Sequence, residues 1–340
     1  MRARDSLRVV GVFVLVVALV VGGTGIASVV ADPDGRTYTS VEADQFQPSA
    51  LLPTGDDTTG TVEMSVQGEK TVVVDMAHDN AVDESDLEPL TSALVRNGHE
   101  VRVHSRGELN ASLRRADAYV IATPRQPFTA DEVAGLRSFV DAGGRLLLLS
   151  EPPKTTVQGG FFSVTFNTVG DTHTTVSSGY GLSFGDGYLY ELSEERHFKS
   201  ISVEPTGEAD LVDGVDRLVF REAVPVTASD EATVVASDTG ETTLSTTRRA
   251  GDHAVVARND GVVAVGDTDF LRSENAVVAD NEVFVGNLAD FLVSGEKTPG
   301  APQPPEEGER GPGGPGAGPR PAPPSGGSGE STPAPTPAPA

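Results

Sequence analysis

The sequence predicts an α/β domain built on a mainly parallel sheet with helices on both faces. Three observations carry this. Short β-branched or leucine-rich runs recur between Lys70 and Pro153; helical stretches with capping signals separate them; and Gly-containing stops end those stretches. Thr71-Val-Val-Val-Asp75 reads as a strand buried on both faces. Ser85-Asp-Leu-Glu88 matches a capping box, Leu87, Leu90 and Leu94 follow at helical spacing, and Asn97-Gly98 supplies a left-handed stop. Pro89 is tolerated because first-turn amides have no helical acceptor. Glu100-Val-Arg-Val103 and Ala118-Tyr-Val-Ile-Ala122 are the next strands. Thr129-Ala-Asp-Glu132 opens a second capping box, with Val133, Leu136 and Val140 on one face and Gly143-Gly144 ending the helix. Arg145-Leu-Leu-Leu-Leu-Ser150 is the fourth strand.

Beyond Thr155 the periodicity loosens, and up to Asp216 the mixture of aromatics and glycines predicts packed loops or a small insertion. Strands are expected again at Arg217 to Phe220, Ala232 to Ala236, Ala254 to Ala257 and Gly261 to Val265. Asp280-Asn281 then caps a last helix whose Phe284, Leu288, Phe291 and Leu292 share a face, ending near Gly295.

The ends differ from this body. Val9 to Ala31 carries no charge, and 23 residues of helix reach roughly 34 Å, enough to span a hydrocarbon core. Arg2, Arg4 and Arg8 precede it, and Asp32 and Asp34 follow, which places the rest of the chain outside the cytoplasm. A retained signal anchor and a cleaved signal peptide both fit residues 1–31; Val9 to Val21 has signal-peptide length, and Val29 with Ala31 suits a peptidase. Residues 32–69 read as a polar juxtamembrane linker and 70–296 as the α/β domain. Residues 297–340 read as a disordered tail, since Pro and Gly make up 22 of the last 40 residues. The tail is either a spacer or proline-rich ligand, or a solvated end with no partner.

The formal charge of −25 argues against nucleic acid as a partner, because its phosphates would be repelled. Only Lys70, Lys154, Lys199 and Lys297 are lysines, against 21 arginines. An acidic, lysine-poor surface resembles that of halophilic proteins; the acids are spread along the chain, which suits solvation in brine better than a single cation-binding patch. The lack of cysteine excludes disulfides, thiolate metal sites and cysteine nucleophiles.

A parallel sheet collects ligands at the carboxyl ends of its strands. The residues there are Asp75, His78 and Asp79 after the first strand, Thr123 after the third, Ser150 and Glu151 after the fourth, and Asp267 and Asp269 after Gly261 to Val265. A histidine with several carboxylates suits a hard cation or acid–base work, while the same residue types also cap turns and helix starts. None of His99, His104, His173, His197 and His253 pairs at metal-ligand spacing, so no metal or cofactor is assigned. There is no Gly-x-Ser-x-Gly elbow at Ser150 and no phosphate-binding glycine loop. Asn110-Ala-Ser112 is a single glycosylation sequon.

The runs Val72 to Asn80, Asn97 to Val101, Ala116 to Ile121 and Gly143 to Leu149, with Tyr180 to Tyr190, Val263 to Phe270, Asn281 and Asn287 to Phe291, resemble a glutamine-amidotransferase-like domain of unknown function. That domain occurs in membrane-anchored haloarchaeal proteins and is similar to auxiliary subunits of gliding-motility ABC transporters. The resemblance covers about Lys70 to Gly295 and implies a flavodoxin-like, amidotransferase-type three-layer sandwich with a membrane or transporter partner. It transfers no catalytic residue, because the required cysteine is missing. The expectation is therefore a non-catalytic, membrane-tethered extracytoplasmic binding or accessory module. The alternative is a divergent hydrolase or metal-dependent enzyme in which His78, Asp79, Glu151 and Asp267 converge within about 5 Å. A third reading, an envelope spacer, rests on the tail alone.

Overall fold

The computed structural model describes residues 60–159, 164–170, 172–192, 198–207, 209–240 and 242–303. The expected signal segment, most of the juxtamembrane linker and most of the tail lie outside the described residues. Within them, no helix is long and apolar enough to cross a membrane.

The first half follows the sequence closely. Strands β1 (Thr71–Asp75), β2 (Glu100–His104), β3 (Ala118–Ala122) and β4 (Arg145–Leu149) alternate with helices α1 (Glu88–Arg96), α2 (Leu109–Leu113) and α3 (Ala130–Asp141). The Thr129 capping box forms as read: the Glu132 amide donates to Thr129 Oγ1, and the Thr129 amide donates to Glu132 Oε2. Ahead of α1 the box shifts by two residues. Asp83 and Asp86 cap a short 3-10 turn, Glu84–Leu87, which runs into α1. Helix α2 was not anticipated; five residues are too few to show a period.

Two features depart from the expected fold. The region read as packed loops or a small insertion contains a hairpin of β5 (Lys154–Gly159) with β6 (Val164–Val169), a one-turn helix α4 (Thr174–Ser177), and short strands β7 (Leu182–Phe184) and β8 (Leu189–Tyr190), all outside the main sheet. It also contains β9 (Ser200–Pro205), a full member of the main sheet. The sheet itself is mixed rather than mainly parallel. Strands β10 (Leu218–Arg221), β11 (Val226–Ala228), β12 (Thr233–Asp238), β13 (Thr243–Leu244), β14 (Arg249–Ala250), β15 (Ala254–Asn259) and β16 (Val262–Val265) complete the set, followed by α5 (Ser273–Ala276) and α6 (Asn281–Val293). The nine-stranded order is β10-β9-β12-β15-β16-β4-β3-β1-β2. Strands β16, β4, β3, β1 and β2 are mutually parallel, and β15, β12, β9 and β10 extend them antiparallel.

The change of direction comes from one tight turn. Asn259 pairs with Val262, so Asp260-Gly261 alone connects β15 to β16. Asp260 takes the left-handed φ of 43° that aspartate tolerates better than most residues. No helix fits in two residues, so the pair must be a hairpin.

Side chains alternate between two cores. Val72, Val74, Val120, Leu147 and Leu149 pack with Leu87, Leu90, Leu94, Phe284 and Leu288 on the α1/α6 face. Val73, Tyr119, Ile121, Leu146 and Leu148 pack with Leu109, Leu113, Leu136 and Phe139 on the α2/α3 face. Helices therefore cover both faces of the parallel half. The α2/α3 contact is so close that a β-carbon on Gly135 would collide with Asn110 Oδ1. The sequon asparagine thus turns into the helix interface.

The segment before β1 runs along α6 from the carboxyl edge of the sheet to its amino edge. The Gly60 amide donates to Glu282 Oε2 at 3.1 Å, and Lys70 Nζ reaches Gly295 O at 2.9 Å. At the other terminus, Thr298 N donates to Ala142 O at 2.8 Å and Lys297 Nζ to Leu113 O at 2.8 Å. The division by contacts falls after Pro302.

Candidate functional site

In the parallel half, β1 sits between β3 and β2, and the chain winds outward in both directions from the β1/β3 pair. The carboxyl ends of these two strands form the crevice where a doubly wound sheet leaves room for a ligand. Two clusters and a cleft occupy this edge.

The first cluster centres on Asp75, the fully buried last residue of β1. Its carboxylate accepts from Tyr119 Oη at 2.9 Å and Asn80 Nδ2 at 3.3 Å, and lies 2.9 Å from His78 Nδ1. The other ring nitrogen of His78 is 3.7 Å from Glu132 Oε2, and the imidazole stacks on Phe128 with centroids 3.8 Å apart. Burial works against a charge on His78, but the Asp75 hydrogen bond and the fields of Asp75 and Glu132 prevail and raise its pKa. Burial, then the Asp75 charge, holds the Tyr119 phenol far above its ordinary value. Beside it, burial lowers His104, whose Nδ1 lies 2.9 Å from Ser112 Oγ.

The loop carrying His78 is clasped by the loop after β3. His78 O accepts from the amides of Arg125 and Gln126, both at 2.9 Å, and Ala81 N donates to Thr123 O at 2.9 Å. Buried Thr123 takes a φ of 43°, a costly conformation for a β-branched residue. It is held there from both sides, since its own amide donates to Leu149 O at 2.9 Å.

The second cluster joins the ends of β4 and β16. Glu151 Oε1 accepts from Thr268 N at 2.9 Å and Thr268 Oγ1 at 2.6 Å. Asp267 accepts from Arg221 N at 2.8 Å and Asp269 N at 2.7 Å. Burial, reinforced by the Asp269 charge, lifts Glu151 to about 7. Burial and the neighbouring carboxylates raise Asp267 as well. Burial also raises Asp269, against Arg272 and Lys154.

Between the clusters lies an open, polar cleft lined among others by Thr123, Arg125, Glu151, Lys154, Asp269 and Arg272. Arg272 Nε is 3.1 Å from Asp269 Oδ1 and 3.3 Å from Asp86 Oδ1. Lys154 Nζ stands 4.0 Å from Glu151 Oε2.

The residues read from sequence are thus all at this edge but divided. Asp75 and His78 meet in one cluster, and Glu151, Asp267 and Asp269 in the other. Thr123 lies between them on the cleft wall. Ser150 is buried, its amide donating to Val265 O at 3.1 Å. Asp79 is exposed at a φ of 51° and belongs to neither group. The nitrogens of the His78 ring face Asp75 and Glu132, not Glu151 or Asp267. Among the described residues, no three His, Asp or Glu side chains are placed to hold a metal ion. Sequence reasoning missed Tyr119, Glu132, Arg125, Lys154 and Arg272. Glu132 was visible as a cap, but only the fold turns it toward His78.

The family model described as "Domain of unknown function (DUF4350)" matches residues 89–289. No curated protein matches. Among solved structures, the mmIFT52 N-terminal domain matches at 14% identity and a TM-score of 0.51, over 65% of this chain and 96% of its own. The cytoplasmic protein STM1381 from Salmonella typhimurium LT2 matches at 13% identity and 0.42, over 66% and 99%. A putative ThuA-like protein from Parabacteroides merdae matches at 8% and 0.40, over 67% and 90%. At these identities the first likeness is one of fold alone.

Proposed function

We propose, starting from the premise that this chain belongs to the DUF4350 family, that it is a membrane-tethered, extracytoplasmic ligand-binding module rather than an enzyme. One observation carries the reading: the chemistry-bearing side chains at the sheet edge already serve the fold, while the cleft beside them is open. Both oxygens of Asp267 accept backbone amides, and Glu151 Oε1 takes both donors of Thr268. A general base needs a lone pair facing substrate, and His78 directs each ring nitrogen at a carboxylate. These contacts pre-order the loops around the cleft, as a binding site requires.

The finer fold reading is a flavodoxin-like, amidotransferase-type three-layer sandwich. It is supported by the β2-β1-β3-β4-β16 order and the helices on both faces. The position of Ser150, where such a fold would carry its nucleophile, has no left-handed φ; after β1 and β3 the left-handed residues are Asp79 and Thr123. The haloarchaeal and transporter associations rest on the family resemblance and on the acidic, lysine-poor composition. Membrane tethering rests on the apolar stretch Val9 to Ala31. Gly60, the first described residue, lies beside the first turn of α6.

The test uses the full chain in detergent or nanodiscs, assayed for ligand-induced shifts in unfolding temperature and for turnover of ester, amide and phosphoester substrates. A shift with no turnover is expected. Turnover that disappears in Glu151→Gln would overturn the reading in favour of a hydrolase.

A further inference from the structure

We propose that the cleft between the two clusters holds its ligand through an oxyanion, a carboxylate or phosphate group, gripped by Arg272 with Lys154 and Arg125. This rests on the binding reading above and specifies the ligand class.

The argument starts from Arg272. The Nε side of its guanidinium faces Asp269 Oδ1 at 3.1 Å and Asp86 Oδ1 at 3.3 Å. Asp86 is itself immobilised, because its Oδ2 accepts the Asp83 amide at 2.9 Å in the turn before α1. The terminal nitrogens of Arg272 donate to none of the described residues, so a planar fork that matches a two-oxygen acceptor remains for a ligand. The two carboxylates draw the Nε side away from the opening before anything binds, which removes part of the ordering cost.

Two more cations line the same cleft. Lys154 is one of four lysines in the chain, and its side chain is 59% exposed. Arg125 is exposed, with its backbone pinned by the 2.9 Å bond to His78 O. In a chain of net charge −25, three cations line one small opening. The acids at this opening, Asp86, Asp269, Asp267 and Glu151, are each engaged by the protein itself. Asp269 and Asp86 pair with Arg272, Asp267 lies fully buried on backbone amides, and Glu151 accepts from Thr268 and faces Lys154. What these three side chains offer the opening is hydrogen-bond donors, which an oxyanion accepts and a cation cannot.

The test is calorimetric titration of the full chain with four probes: citrate, inorganic phosphate, glycine betaine and glucose. Citrate or phosphate should bind with one-to-one stoichiometry, and which of the two does so separates a carboxylate ligand from a phosphate one. Affinity should fall at least tenfold in Arg272→Gln, and three- to tenfold in Lys154→Gln and Arg125→Gln. It should not change in Arg249→Gln, an exposed arginine on β14 away from the cleft. Should loss of the Asp86–Arg272–Asp269 bridge unfold Arg272→Gln, the Lys154 and Arg125 variants decide alone. Binding of glucose or betaine but neither anion, abolished by the same substitutions, overturns the oxyanion assignment and leaves the binding reading standing. No binding by any probe at millimolar concentration overturns the oxyanion assignment, and turnover of a substrate overturns the binding reading.

Discussion

His78 Nδ1 sits 2.9 Å from Asp75 Oδ2, and this contact ties the loop after β1 to the strand's buried end. Because Asp75 is fully buried, removing the imidazole leaves a carboxylate supported by Tyr119 and Asn80 alone. Losing a hydrogen bond to a buried charge costs about 3 kcal/mol, and His78→Ala should show a loss of that size in urea unfolding. The sign with pH follows from the raised His78 pKa. The folded state holds the proton more tightly than the unfolded chain, so the charge-dependent part of the stabilisation is complete below pH 6.5 and lost as pH rises through the folded value. The deficit of His78→Ala should therefore be larger at pH 5.5 than at pH 9. An equal deficit at both would mean that the imidazole acts only by packing on Phe128.

Glu151 predicts a pH effect of its own. Its folded pKa of about 7 lies above the ordinary glutamate value, so the folded protein keeps a proton that the unfolded chain releases. Stability on this account is greatest below about pH 4.5 and falls until pH 7, by roughly 3 kcal/mol over the interval. Glu151→Gln keeps the acceptor for Thr268 and removes the titration. Its stability between pH 4.5 and 7 should be flatter than that of the parent, and at pH 8 it should be the more stable protein. Chemical denaturation across that range decides; parallel curves would place the titration elsewhere.

How far the sequence foretold this edge depends on whether the signal was local. The Thr129 cap, the run Thr71 to Asp75 and the Phe284-Leu288-Phe291-Leu292 face all form as read, because each is set by neighbours within one turn or one strand. Strand β9 was not legible: Ser200 to Pro205 lacks a long apolar run, and pairing with β12 and β10 defines it. The antiparallel half could have been seen in Asp260-Gly261, a two-residue turn between apolar runs. The division of the site could not. His78 lies three residues from Asp75 but 54 from Glu132, and only the crossover between β3 and β4 brings the latter near.

The contact between Asn110 and Gly135 yields a prediction against the usual rule. Alanine in place of a helical glycine ordinarily stabilises by up to about 1 kcal/mol. In α3 the added methyl would run into Asn110 Oδ1, so Gly135→Ala should instead cost about 1–3 kcal/mol. Shortening the partner in the Asn110→Ala/Gly135→Ala double variant should recover most of the loss. Additive losses in the double variant would show that the two residues do not share this space.

Asp290 supports the last prediction, because its carboxylate takes the amides of the segment before β1 at mid-length, where Arg96 and His99 hold the carbonyls of Val62 and Val66. Its carboxylate accepts from Ser65 N at 2.9 Å, Ser65 Oγ at 2.7 Å and Val66 N at 2.8 Å, while the backbone of Glu63 lies directly on Gly286 one turn earlier. This segment adds no strand to the sheet, and Val62 is its one fully buried apolar side chain among those that pack on the core. Its release should therefore be a local opening, not global unfolding. Asp290→Ala removes bonds to a charged acceptor worth about 2 kcal/mol, so the amides of Ser65 and Val66 should exchange roughly thirtyfold faster. Those of Val72 to Val74, in the centre of the sheet, should keep their protection. If β1 lost protection to the same degree, the segment would be part of the cooperative core, and the chain's point of entry at the carboxyl edge would be as rigid as the sheet itself.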